Sequence, residues 1–354
     1  MKILVLTRYT SLGSSSRYRI FQFLPYLKSL GWDITVHSLL NDKYIHFLYE
    51  GKTLPIFNII KNYFLRFVIL LKKRKYDIIW LQQEAFPWSP SWIETLLLKS
   101  KTPLVVDHDD AFFHRYDLSG SKLIRKLLGN KIDATMKISD VVIVGNEYLA
   151  DRARKNKCKN IQILPTVIDI NKYQLKEKDK LENELFIIGW VGSPPNTKYV
   201  KNIENELAQF CFNNRSRLIL IGSGQLDLKD VPYEVIEWNE KTEVNEIQKF
   251  DVGIMPLIDN PWERGKCGFK LIQYMACAIP VIASPVGINK EIVTDGVNGF
   301  LAYSNEDWIK YLNVLKNDIE LRKQMGVNGL KLVKEKFTLQ VNEKLLADIF
   351  IKLK

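Results

Sequence analysis

The chain has 354 residues, 46% of them hydrophobic, and 51 Lys and Arg against 40 Asp and Glu give it a formal net charge of +11. That length exceeds what one core usually serves and suits two domains, while the apolar fraction excludes a disordered or fibrous chain. The positive balance points to a phosphate-bearing partner, an anionic membrane face or nucleic acid, without choosing among them.

In chain order, Ile3–Leu6 is a short apolar run that leads into the Gly/Ser loop TSLGSSSR. Ile20, Phe23, Leu24, Leu27 and Leu30 then recur at helical spacing until Gly31. DITVHSL reads as a second strand, and strand, helix, strand at this length is the crossover unit of a parallel sheet. Next, LPIFNIIKNYFLRFVILLKKRKYD places Ile56, Phe57, Ile60, Phe64, Phe67 and Leu71 near one helical face. It also carries Lys61, Arg66, Lys72, Lys73, Arg74 and Lys75, with no acid between Lys61 and Lys75. A core-facing helix with a basic end fits this pattern, and so does a helix lying on an anionic membrane. YDIIWLQ, TPLVVDHDD and SDVVIVGN follow as strands that run into polar residues, as buried strands feeding functional loops do.

After a short strand in NIQILPTVID the sequence turns charged and poor in aliphatics, so a domain boundary is expected near Asn171–Glu184. This divides the chain into an N-terminal domain, 1–172, a second domain, 173–337, and a C-terminal helix, 338–354, that can pack back on the first. A second set of strands begins with LFIIGWVGS and continues through RLILIGSG, YEVIEW, DVGIMPL and IPVIAS. Helical patterns such as Val200–Phe210 and Glu243–Phe250 separate them, and the last fifty residues are helical. The fold class is therefore α/β, with two Rossmann-like doubly wound domains facing across a cleft. In such sheets ligands bind beyond the carboxyl ends of strands, so the chemistry is expected in the loops there.

The four cysteines, Cys158, Cys211, Cys267 and Cys277, form no CxxC pair and are too scattered for a disulfide framework; they read as reduced thiols. MKILVLTRYT has too short an apolar run for a secretory segment, and no uncharged stretch is long enough to span a bilayer. A cytoplasmic protein is expected, with a peripheral position at the inner face of the membrane as an open alternative. No aromatic-basic platform or zinc spacing supports nucleic acid as the partner.

Four loops carry candidate chemistry. In GKCGFKLIQYMACAIPVIAS a loop runs into a helix near Gly268, and its amides and positive dipole end lie beside Lys266 and Lys270, an arrangement that suits phosphate. Gln273 lies about one turn in from Lys270, and Pro280 stops the helix before a buried strand. A solvated helix start explains the lysines equally well. In VVDHDDAFFHRY, Asp109 or Asp110 suits a helix cap. Asp107-His-Asp109 also reads as a metal motif, which is discounted because the chain shows two sheet domains and a basic loop that can meet phosphate without metal. In GSSSRYR, Arg17 and Arg19 at a helix start can grip a phosphate, with Gly13 allowing close approach; a capped helix with exposed arginines is the alternative. In WVGSPPNTKY, Gly192 and Ser193 follow a strand, with Lys198 the only base close by. Trp238 fits a core position better than a nucleobase stack.

GFKLIQYMACAIPVIASPVGINKEIV followed by DGVNGFLA resembles the nucleotide-binding signature of retaining glycosyltransferases of family 4, which have the GT-B fold. The resemblance extends to SSSRYRIFQFLPYLKSLGWDITV, SDVVIVGNEYLADRA, LPTVIDINKY and IIGWVGSPPNTKY. It implies transfer of a sugar from a nucleoside diphosphate sugar, UDP- or GDP-linked, to a glycan or lipid-linked acceptor hydroxyl with retention. Neither cofactor nor metal is implied. It further implies donor contacts from Gly192, Ser193, Lys198, Arg264, Lys266, Gly268, Phe269, Lys270 and Gln273, and acceptor contacts from Gly13, Arg17 and Arg19. The family's loop at this position supplies a histidine to the cleft near the donor sugar; His108 matches it, and His108, Asp109 and Asp110 are the expected catalytic residues, Asp110 as good a candidate as His108. The chain departs from the family where two glutamates eight positions apart are replaced by Gly265 and Gln273, and Glu263 stands two residues before the first. A noncatalytic nucleotide-sugar-binding subunit and a GT-B epimerase are the alternatives; four histidines, with only His108 and His114 close together, speak against the epimerase.

Overall fold

The structure, a computed structural model, describes residues 1–49, 52, 56–174 and 185–354. Much of the expected boundary segment, from residue 175 to 184, lies outside the described residues. Two compact units are present. One comprises Met1–Val167, Arg264–Cys267 and Leu339–Lys354, and the other Ile168–Glu263 and Gly268–Thr338.

The N-terminal unit is built on six parallel strands, β1 (Lys2–Tyr9), β2 (Asp33–Leu40), β3 (Ile78–Gln82), β4 (Leu104–His108), β5 (Val141–Val144) and β6 (Ile161–Ile163), in the order β2-β1-β3-β4-β5-β6. Alternation within the apolar runs feeds both faces. Ile3 and Val5 join Ile20, Phe23 and Trp80 on one side, and Leu4 and Leu6 join Leu70, Leu81 and Val106 on the other. Full burial of one such side chain is worth about 1.5–3 kcal/mol, which is why continuous rather than alternating apolar runs mark these strands. The C-terminal helix Leu339–Ile351 completes the first of these cores with Leu346, Ile349 and Phe350.

The other unit repeats the design with β7 (Phe186–Val191), β8 (Ser216–Ile221), β9 (Tyr233–Ile236), β10 (Val252–Met255), β11 (Val281–Ala283) and β12 (Gly299–Leu301), ordered β12-β11-β10-β7-β8-β9 and all parallel. Leu218 and Leu220 face one core, Ile219 and Ile221 the other. The edge strand β12 falls in the GFLA of the signature segment, too short to stand out as a strand in the sequence. The apolar stretch after the Gly/Ser loop is also broken up, into a helix over Ser14–Arg19, a 3₁₀ turn over Phe21–Phe23 and a helix over Leu24–Ser29, with Pro25 opening the last.

The helix Ile56–Leu71 packs Leu70, Tyr63 and Ile69 on the core and leaves a second apolar face outward. Arg66 and Leu70 point inward, while Phe57, Ile60, Phe64 and Leu71 are exposed. Among the described residues no helix is long and apolar enough to cross a membrane.

Candidate active site

In each sheet the strand order reverses beside the first strand, and a doubly wound sheet binds ligands in the crevice at that point. For the C-terminal unit the reversal lies between β7 and β10, so the loops after these strands flank it. Gly192 and Ser193 follow β7. The loop after β10 leads through the short helix Pro261–Arg264 to the helix Phe269–Ala276. Gly268 caps that helix with φ +64, a left-handed conformation that suits glycine, and a side chain there would strike Ile292. Lys270, in the first turn, runs back across Gly192. Its Cε lies 3.1 Å from where a Cβ on that glycine would sit, and its Nζ is 5.4 Å from the centre of the buried Trp190 ring. The glycine after β7 makes room first for the Trp190 ring, which a Cβ would strike, and then for the lysine stem, so that Lys270 in the first turn of the helix extends over that ring.

Gln273 is buried, and its Nε2 donates to the Tyr173 hydroxyl at 3.3 Å, so its amide is oriented from within the unit. Asn196 Nδ2 donates to Ser193 Oγ at 2.9 Å. Lys198 is exposed, with Nζ 3.8 Å from Glu263 Oε1, and Tyr199 OH donates to the same oxygen. Glu263 itself is buried at 2% exposure, and its Oε2 has no hydrogen-bond partner among the described residues. Trp238 is half-buried and donates from Nε1 to Glu243 at 2.8 Å; it packs against a core cluster rather than standing open.

Arg264–Cys267 belong to the N-terminal unit, so the expected basic set of Arg264, Lys266 and Lys270 does not sit on one unit. The reason is local. Asn146 Nδ2 donates to the carbonyls of Gly265 (2.9 Å) and Lys266 (3.0 Å), and the Cys267 thiol donates to Asp109 O at 2.7 Å. Gly265 packs so closely on Ala111 that any side chain there would strike it, and Gly145 leaves space for the Cys267 sulfur in the same way. A glutamate at position 265 is excluded on those grounds. Arg264 is exposed and Lys266 half-buried.

In the N-terminal unit the reversal lies between β1 and β3. Gly13 caps the helix Ser14–Arg19, and a Cβ there would strike Tyr9. Arg17 is buried, with Nη1 donating to Ser11 O at 3.3 Å. Arg19 departs from the expectation of an acceptor-gripping base. It is fully enclosed, its Nε and Nη2 reach Asp107 at 2.8 and 3.1 Å, and its Nη1 donates to Leu164 O at 2.7 Å. Burial pushes Asp107 up to about 6, against the lowering pull of Arg19, so the carboxylate is ionised at neutral pH and the pair is a bidentate buried ion pair. That pairing also takes Asp107 away from any metal-binding role.

His108 ends β4 with no exposure, and neither ring nitrogen has a hydrogen-bond partner among the described residues. Burial first, and Arg19 second, push it down to about 3, so it is neutral at physiological pH. Asp109 is held by Ser15 Oγ and by Gln83 Nε2 at 3.0 Å; Asp110 is half-buried beside it. Among the described residues no group of three His, Cys, Asp or Glu is arranged to hold a metal.

Sequence reasoning missed Ser15, Gln83, Glu84 and Arg8. Gln83 has φ +61, a strained conformation for a residue with a side chain, and its buried Oε1 has no partner among the described residues. Glu84 accepts from Tyr116 OH at 2.7 Å and pairs with Arg8 at 3.2 Å and Lys131 at 3.3 Å. The available signal was the polar run Gln82-Gln83-Glu84 directly after an apolar strand.

Comparison with known proteins bears on both units. An uncharacterized glycosyltransferase of Methanocaldococcus jannaschii is 26% identical over 342 residues, covering 84% of this chain and 83% of that protein. Sucrose-phosphate synthase from Thermosynechococcus elongatus superposes with a TM-score of 0.75 at 15% identity, over 100% of this chain and 99% of the other. HepE of Anabaena, solved in complex with UDP-glucose, gives 0.66 at 16% identity, over 99% and 100% of the two chains. The chain has the GT-B fold, and its residues 185–318, which include β7 and the loop and helix that carry Lys270, match the family described as glycosyl transferases group 1.

Proposed function

We propose that the protein is a retaining glycosyltransferase of family 4 that moves a sugar from a UDP- or GDP-sugar to a hydroxyl of a glycan or lipid-linked acceptor, in cell-surface polysaccharide or glycolipid synthesis at the cytoplasmic side of a membrane. The observation that carries this reading is Lys270 lying across Gly192 at the start of the helix Phe269–Ala276, where the strand order reverses. The family match over residues 185–318 and the UDP-glucose complex of HepE support the choice of donor.

In this reading Lys270, the amides at the helix start and the Gly192–Ser193 turn hold the diphosphate. Lys198, Arg264 and Lys266 add positive charge, Gln273 addresses the ribose, and Gly13 and Arg17 serve the acceptor. The bond from the sugar's anomeric carbon to the phosphate oxygen breaks as the acceptor oxygen bonds to that carbon on the same face. The departing phosphate takes the acceptor's proton. No protein nucleophile and no metal is used; fixed positive charge stabilises the leaving group. His108, neutral and enclosed, and the Asp109 carboxylate held by Ser15 and Gln83 shape the site for the sugar.

A thermal-shift panel of UDP, GDP and ADP with their sugars tests the donor, since a ligand present at a hundredfold its Kd stabilises the fold by about 2.7 kcal/mol. Lys270→Ala should abolish the shift while Lys61→Ala leaves it intact. No shift with any nucleotide, or equal loss in both variants, overturns the assignment. Proton NMR of the product's anomeric centre tests retention.

A further inference from the structure

The helix Ile56–Leu71 is a prominent element that glycosyl transfer leaves without a role, and it carries more apolar surface than the core takes up. Its inward side mixes the two kinds of residue: Leu70 is fully buried with Tyr63 and Ile69 packed on the same core, while Arg66 is fully buried and donates to Thr7 O and His37 O, both at 2.6 Å, and Asn62 donates to Leu39 O at 2.9 Å. Its outward side is apolar, with Phe57 88% exposed, Phe64 64% and Leu71 63%. A helix on the surface of a soluble domain turns a polar side outward, and single exposed apolar residues are ordinary where a whole helical stripe is not.

The helix Ser91–Leu98 continues the pattern. It packs against the first, Lys73 just past the end of that helix donating from Nζ to Leu97 O, and it turns Trp92 (65% exposed) and Leu96 (71%) outward one turn apart. Exposed positive charge accompanies these apolar faces, at Lys61 within the helix Ile56–Leu71 and at Lys72, Arg74 and Lys75 at its end. No acidic residue occurs between Ile56 and Lys75.

We propose that the outward faces of these two helices form a docking surface for an anionic lipid bilayer. Phe57, Phe64 and Trp92 enter the boundary between headgroups and acyl chains, and the lysines and Arg74 lie over lipid phosphates. Charge selects this occupant over a second copy of the chain, because a self-complementary contact through this face would oppose two basic clusters with no acid in the helix to offset them. The surface rests on the geometry of the N-terminal unit and not on the donor reading.

The test is co-sedimentation of the full chain with phosphatidylcholine vesicles, with and without phosphatidylglycerol, at low and high salt and with no nucleotide present. Binding is expected only to the phosphatidylglycerol vesicles and is expected to weaken with salt. Phe57→Ser with Phe64→Ser should lower it about tenfold, and Lys72→Glu with Arg74→Glu should remove the preference for anionic lipid. All four substitutions are at exposed positions, so the melting temperature and its response to UDP should not change, which separates failure of this proposal from failure of the donor assignment. Absence of binding at low salt, or binding that the phenylalanine substitutions leave unchanged, overturns the proposal. So does light scattering that shows a wild-type dimer converted to monomer by the same substitutions, which reassigns the face to a second copy.

Discussion

Arg19 and His108 show how burial decides what a residue can do. Arg19 ends a helix and His108 ends a strand, both at places where the sequence suggests substrate contact, and both are fully enclosed. Arg19 therefore acts on the fold: Arg19→Met should cost about 3–5 kcal/mol by leaving Asp107 unpaired in the interior, while the double variant with Asp107→Leu should recover much of it. Denaturant melts of the three variants check this, and equal losses in single and double variants would refute the pairing. His108 is the opposite case: no partner would compensate a charge on it, so it stays neutral. Its folded value of about 3 lies below its ordinary 6.5. The neutral form is therefore favoured by folding, and the stabilisation is present above about pH 6.5 and lost as pH falls toward 3. Between pH 6.5 and 5 the unfolding free energy should fall by up to about 1.4 kcal/mol per pH unit from this group, and His108→Gln should flatten that slope. An unchanged slope would mean the imidazole is charged in the folded protein.

At the scale of elements, close approach of backbone to backbone sets the architecture of the loop from Arg264 to Gly268. Asn146 bonds two of its carbonyls, and Gly265 rests directly on Ala111. Gly265→Ala should destabilise the protein by about 1–3 kcal/mol by overpacking, and Gly265→Glu by more, with thermal melting as the measure. A neutral Gly265→Ala would show that the loop has room. The result also explains why the chain lacks a glutamate that its resemblance leads one to expect. Strands were legible in the sequence because parallel strands buried on both faces are continuous apolar runs. The edge strand β12 and the split of the first helical stretch were not, since three residues carry too little pattern and Pro25 can open a helix as readily as end one.

For the molecule as a whole, the C-terminal helix belongs to the first unit's core. Phe350 meets Trp80 edge-on at 5.2 Å, and Leu346 and Ile349 join the same cluster. A chain ending at Thr338 should lose more than the about 3–5 kcal/mol typical of deleting one buried phenylalanine, and calorimetry should show a lowered transition. An unchanged melting profile would show that the helix is dispensable.

The apolar runs, their spacing and the glycine-lysine loop before a helix were enough to settle two doubly wound sheets and to bring Lys270 and Gly192 under suspicion, because strand burial and helix periodicity are local properties of the chain. Which side of the helix Ile56–Leu71 faces inward, which arginine is enclosed, and which unit holds Arg264–Cys267 were decided only in three dimensions. Each depends on partners far away in sequence: Thr7 and His37 for Arg66, Asp107 for Arg19, Asn146 for the loop.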